Sequence, residues 1–115
     1  MEFTIGVYVP ARRMKDGFSK RLAYEVFDLK GIVDARKKAI QMIKKARLPQ
    51  YCREDPYVFA SIEKDDQKEY RMGITYFDDQ FTWYVRKKIR TSYGWTDELV
   101  YKASLNDDGT IKKKL

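Results

Sequence analysis

"YVFASIEKDDQKEYRMGITYFDDQFTWYVRKKIR", residues 57–90, contains three runs in which apolar and polar residues alternate, separated twice by the same tripeptide Asp-Asp-Gln at 65–67 and 78–80. Successive side chains of a strand point to opposite faces, so this period predicts half-buried strands over 57–64, 68–77 and 81–90. Aspartate suits the backbone of tight turns, so the two short breaks read as hairpin turns. The stretch is therefore an antiparallel three-stranded meander with one face on a core.

Downstream, "TSYGWTD" (91–97) reads as a loop and "ELVYKASL" (98–105) as a further strand, preferred over a helix opened by Asp97-Glu98. A turn at Asn106–Gly109 leads to a ragged sixth partner, and Lys112–Lys114 read as a loose tail. Upstream, "FTIGVYV" (3–9) alternates and is ended by Pro10, which cannot donate to a ladder. "KRLAYEVF" (20–27) alternates with Leu22, Tyr24 and Val26 on one side. Asp16-Gly17 between them supplies a turn, so 3–27 is predicted to be a hairpin with a long basic tip.

In "DLKGIVDARKKAIQMIKKARLP" (28–49) the period changes. Ile32, Ala35, Ala39, Met42/Ile43 and Ala46 share one face of a helix. Asp28 is the expected N-cap, Asp34 lies early where the helix dipole favours an acid, and Pro49 stops the helix. Its alanines imply close approach to a sheet. "QYCREDP" (50–56) is a loop. The expected architecture is α+β: a single antiparallel sheet of five or six strands, one main helix packed on one face, order ββαβββ(β), with residues 1–115 forming one domain.

Composition narrows the chemistry. With 115 residues, 43% apolar and 15% aromatic, the chain can bury one core. It has no histidine and one cysteine, Cys52, which excludes imidazole catalysis, histidine metal ligands, an internal disulfide and a cysteine zinc cluster. The paired aspartates at 65–66, 78–79 and 107–108 are turn residues, not convergent metal ligands. No phosphate loop, dinucleotide fingerprint, calcium loop or nucleophile elbow is present. Cys52 beside Arg53 lacks a base, so it reads as incidental. No catalytic residue, cofactor or metal is expected, and the protein is read as non-enzymatic. An unpaired thiol, an acid at position 2 and no long apolar run predict a cytoplasmic protein without a leader or membrane span.

The net charge is +7, of which residues 1–55 carry +6 (13 basic, 7 acidic) and residues 56–115 carry +1 (11 and 10). Such a balance favours polyanionic partners. Three patches are candidates for phosphate contact. Alternation in 81–90 sets Arg86, Lys88 and Arg90 in a row about 7 Å apart with Tyr84 at its head. The helix presents Lys37, Lys38, Lys44 and Lys45 along a ridge. The hairpin tip carries Arg12, Arg13 and Lys15. An aromatic ring among cations can stack on a base.

The expected function is thus that of a small basic accessory domain binding DNA or RNA, mainly through the phosphate backbone. The alternative is an inhibitor or adaptor module that docks on an acidic protein or nucleoprotein through an aromatic sheet face or edge, with Tyr84, Tyr93 and Trp95 as anchors. The helix stripe is too alanine-rich to bind a membrane, and an exposed sheet edge could pair two copies into a homodimer.

Overall fold

The computed structural model of the protein describes residues 1–49 and 57–115; the loop expected at 50–56, with Cys52, lies outside the described residues. Strands β1 (Glu2–Val9), β2 (Lys20–Asp28), β3 (Val58–Lys64), β4 (Tyr70–Phe77), β5 (Gln80–Thr91), β6 (Gly94–Leu105) and β7 (Ile111–Lys114) form one sheet. Its order is β2-β1-β3-β4-β5-β6-β7, and every neighbouring pair is antiparallel. One α-helix, α1 (Ile32–Lys45), packs across one face of the sheet against β1, β3 and β4. The α+β class is as read from the sequence.

Among the described residues the strand count is seven, not five or six, because the tail adds β7; two other strands run longer than expected. Residues 91–97 are not a loop: β5 and β6 continue through them and reverse at Ser92-Tyr93, with Gly94 at φ 120. Thr91 secures this turn by donating from its hydroxyl to the Gly94 carbonyl (3.0 Å) while accepting from the Tyr93 N–H (3.2 Å). The lysine-rich tail is not loose either, because it pairs with the end of β6 as β7, and Leu115 N–H reaches the Lys102 carbonyl at 2.8 Å. Between β4 and β5, Asp78 and Asp79 hold the two left-handed positions (φ 53 and 59) of a two-residue hairpin turn.

Register stacks the apolar side chains into rows beneath the helix. Val7, Ala60, Ile74, Trp83 and Ala103 form one row across five strands; Ile5, Ile62, Met72 and Val85 form the next. Ala35, Ala39, Ile40 and Ile43 of α1 lie buried on these rows. The alanines let the helix axis come close, as their size requires. Met14, fully buried in the same core, pins the β1–β2 connection, in which Ala11–Arg13 form a single 3-10 turn.

Three local expectations are corrected. Asp28 does not cap the helix: it ends β2, where it accepts from the N-terminal ammonium at 2.9 Å, and Gly31 begins the helix instead. At the other end the helix stops at Lys45 with Ala46 as its cap, short of Pro49. In β2, Tyr24 and Val26 do not face the core. A bulge between the pairs Val7↔Ala23 and Tyr8↔Arg21 leaves Leu22 as the extra residue, so Leu22, Ala23 and Phe27 pack on the core while Tyr24 and Val26 are exposed on the opposite face.

The β6–β7 turn closes over α1 as a clasp. The Arg36 side chain, 7% exposed, donates from Nε to the Gly109 carbonyl at 2.8 Å and lays its guanidinium 5.2 Å from the Trp83 ring centre. Lys44 bridges to Asp107 at 2.8 Å. Burial holds the Arg36 guanidinium below its ordinary pKa. Inside the turn, Asp108 accepts from the Thr110 hydroxyl (2.5 Å) and N–H (3.0 Å), which holds its carboxyl below the usual aspartate value. A lowered folded value contributes stability above the unfolded aspartate pKa, and that contribution is lost as pH falls through the folded value. Wild type is therefore expected to exceed Asp108→Asn in urea midpoint at pH 7, and the two midpoints are expected to converge as pH falls through the lowered folded value. Parallel urea melts at each pH check this.

Candidate nucleic-acid interface

The sheet face opposite α1 is assembled from the alternate residues of every strand. On β5 these are Thr82, Tyr84, Arg86, Lys88 and Arg90, since Phe81, Trp83 and Val85 point under the helix. β4 sets Arg71 opposite Arg86 and Gly73 opposite Tyr84; β6 sets Lys102 opposite Tyr84 and Trp95 opposite Arg90. The side chains of this face meet in cation–ring contacts. Arg86 and Lys102 lie 6.0 and 5.5 Å from the centre of the Tyr84 ring, and Arg90 lies 5.9 Å from that of Trp95.

The pinned β1–β2 connection brings the hairpin tip onto the same face. Arg12 donates to the Tyr57 hydroxyl, and the Arg12 and Arg13 guanidinium carbons lie 4.9 and 5.3 Å from the Tyr57 ring centre. Arg13 Nε is buried with no hydrogen-bond partner among the described residues. Phe59 stacks on Tyr8 with ring centres 5.3 Å apart. Between these groups runs a shallow trough of about 590 Å³ whose walls include Arg12, Arg71, Arg86, Tyr57, Phe59 and Tyr84 and whose floor is Gly73. Among the described residues no carboxylate lines it.

The charges along this face form a diagonal. Arg12 and Arg13 lie by Tyr57 at the start of β3, Arg71 and Arg86 lie across the middle strands, and Lys88 and Arg90 continue outward along β5. Acids gather at the opposite corner, where Asp28 pairs with Glu2 across β1–β2 and Asp65 crowds Glu2 closely enough to raise its carboxyl pKa. Among the described residues Arg12, Arg13, Arg86 and Arg90 form no ion pair, whereas Arg71 bridges to Asp97 at 3.3 Å. Asp97 also stands opposite Lys88, so Lys88 is the most compensated member of the row.

The other candidate patch faces away. Lys37, Lys38, Lys44 and Lys45 lie on α1, beyond the core from the open sheet face. Lys44 is held by Asp107, Lys38 rests 5.0 Å from the Phe27 ring centre, and the Lys37 backbone abuts Gly109. Lys45 is exposed, as is Lys15 beyond the 3-10 turn. The three basic patches thus divide, with the tip arginines and the β5 row together and the helix ridge behind. Sequence reasoning left out Arg71, Lys102, Tyr57 and Phe59. Alternation in 68–77 places Arg71 opposite Met72 and so could have found it. The meeting of Tyr57 with Arg12 is made by tertiary structure alone.

Past Lys88, whose N–H still reaches the Glu69 carbonyl at 2.9 Å, β5 and β6 pair among the described residues only with each other. The pairs Ile89↔Thr96, Arg90↔Trp95 and Thr91↔Gly94 form a ribbon projecting about 10 Å beyond β4. At its end Tyr93 is 99% and Trp95 71% exposed. Among the described residues no group of three or more histidine, cysteine or acidic side chains is placed to hold a metal ion, and no helix is long and apolar enough to cross a membrane. Comparison with protein-family models, with curated proteins and with solved structures finds no match.

Proposed function

We propose that the protein is an accessory domain that binds nucleic acid, holding the phosphate backbone along the diagonal of the open sheet face. One observation carries this reading: Arg12, from the β1–β2 connection, converges with Tyr84 and Arg86, from β5, on a trough that no carboxylate of the described residues lines. Clustered arginines without acid partners repel one another, and a phosphate relieves that repulsion with charge-assisted, bidentate hydrogen bonds. The rings beside them exclude water and offer faces on which a base can stack.

Fluorescence anisotropy with labelled 20-mers, titrated across salt concentrations, tests the reading. Micromolar or tighter binding at low salt is expected, with affinity falling steeply as salt rises because counterions are released from the phosphates. Arg86→Ala/Lys88→Ala/Arg90→Ala together are expected to flatten the log–log slope by about two to three units and to weaken binding at least tenfold. Lys37→Ala/Lys45→Ala, on the far side of the core, is expected to leave the slope unchanged. No binding by the wild-type protein at low salt would end the proposal.

The exposure of Tyr93 and Trp95 at the ribbon tip favours a second reading, docking on an acidic or nucleoprotein partner. In that case Tyr93→Ala/Trp95→Ala abolishes association with the partner, and the triple alanine variant on β5 affects chiefly its rate at low salt.

A further inference from the structure

We infer that the trough over Gly73 receives an unstacked nucleobase, so that the polymer this face selects is single-stranded. The inference rests on the nucleic-acid reading above and adds to it a ligand class and a subsite.

Gly73 lies in the interior of β4, in register with Ser61 of β3 on one side and Tyr84 of β5 on the other. Glycine weakens a strand, and within one it commonly marks a place where another group approaches the backbone closely. A side chain here would fill the trough from below. Its Cβ would also come within 3.0 Å of the Ala60 carbonyl oxygen, so the floor is bare backbone. Gly6, in the same cross-strand row, is different: the Tyr8 ring already covers it, within 2.4–2.7 Å of where a Cβ would be. The space over Gly73 is open.

The surroundings match a flat aromatic ligand with a negative charge on either side. Tyr84 flanks the floor with its ring half exposed, Phe59 and Tyr57 stand across from it, and the guanidinium groups of Arg12 and Arg86 lie at the rim. A volume of about 590 Å³ is in the range of sites that hold small organic ligands. Only a base free of its neighbours can turn its face to such a floor, while the arginines at either end take the phosphates before and after it. In a duplex the bases are stacked on one another, so a duplex could use the arginines but not the floor.

The test is anisotropy with three probes of equal length at one low salt concentration: a 12-nucleotide oligothymidine, the same strand made abasic, and a 12-base-pair duplex. The oligothymidine is expected to bind at least tenfold more tightly than either of the others. Gly73→Val, which fills the floor, is expected to bring the ratio between the thymidine and abasic strands close to one. Tyr84→Leu provides the same comparison should the glycine variant fail to fold, as judged by circular dichroism. Equal binding of thymidine and abasic strands by wild type, or tighter binding of the duplex, overturns the base subsite while leaving phosphate binding intact. Binding of none of the three overturns both.

Discussion

Gly109→Ala is expected to destabilise the protein by about 3 kcal/mol, through two separate effects. Gly109 has φ 86, a left-handed conformation that disfavours a residue with a Cβ by about 1–2 kcal/mol. A Cβ would also lie 2.7 Å from Lys37 N, 3.0 Å from the Val33 carbonyl oxygen and 3.1 Å from Lys37 Cα. These are backbone atoms of a helix and cannot swing aside, so overpacking adds roughly 1–3 kcal/mol. The turn can relieve the clash only by lifting away, which breaks the hydrogen bond from Arg36 and leaves a buried guanidinium unsatisfied. Gly17→Ala separates the two effects, since Gly17 has φ 76 with nothing within 4 Å of a Cβ. Urea melts should show a loss of about 1 kcal/mol at position 17 and about three times that at 109. Equal losses would mean that the clasp is not packed against the helix.

Trp83→Ala is expected to remove about 4 kcal/mol, a large share of the roughly 5–15 kcal/mol that holds a domain folded. Trp83 is 3% exposed, sits between Ile74 and Ala103 across the strands, and presents its face to Arg36. Truncation leaves a cavity in the middle of the longest apolar row and takes away the ring that the guanidinium rests on. In a double-mutant cycle with Arg36→Met, the pair is expected to couple by about 1 kcal/mol, the scale of a partly desolvated cation–ring contact. Circular dichroism should be the readout. The substitution removes the buried one of the two tryptophans and leaves Trp95, whose surroundings barely change on unfolding.

Much of the fold could be read along the chain because its strands are half buried, and their alternation reports that directly. Ile5, Ala60, Ile62, Ile74, Phe81 and Trp83 all lie under the helix as their spacing predicts. The errors occur where a non-local contact overrides a local signal. Asp28 has the chemistry of an N-cap but is held by the N-terminal ammonium, which only tertiary structure brings there. The bulge at Leu22 turns the rest of β2 over, and a period-two pattern does not reveal an inserted residue. Lys112–Lys114 have weak strand preference and become a strand only because β6 offers a free edge. For the candidate interface, the β5 row was readable from spacing alone. Its junction with Arg12 and Arg13 depends on Met14 anchoring the connection and Tyr57 receiving it, and no periodicity encodes that.

The clasp also has a consequence for biosynthesis. Arg36 is translated 73 residues before its hydrogen-bond acceptor, Gly109. When the ribosome has made the helix and the first strands, the partner of that guanidinium does not yet exist. The flank of α1 that the turn covers therefore remains open to solvent until the β6–β7 turn emerges. A nascent chain stalled short of Gly109 thus carries an unfinished helix face.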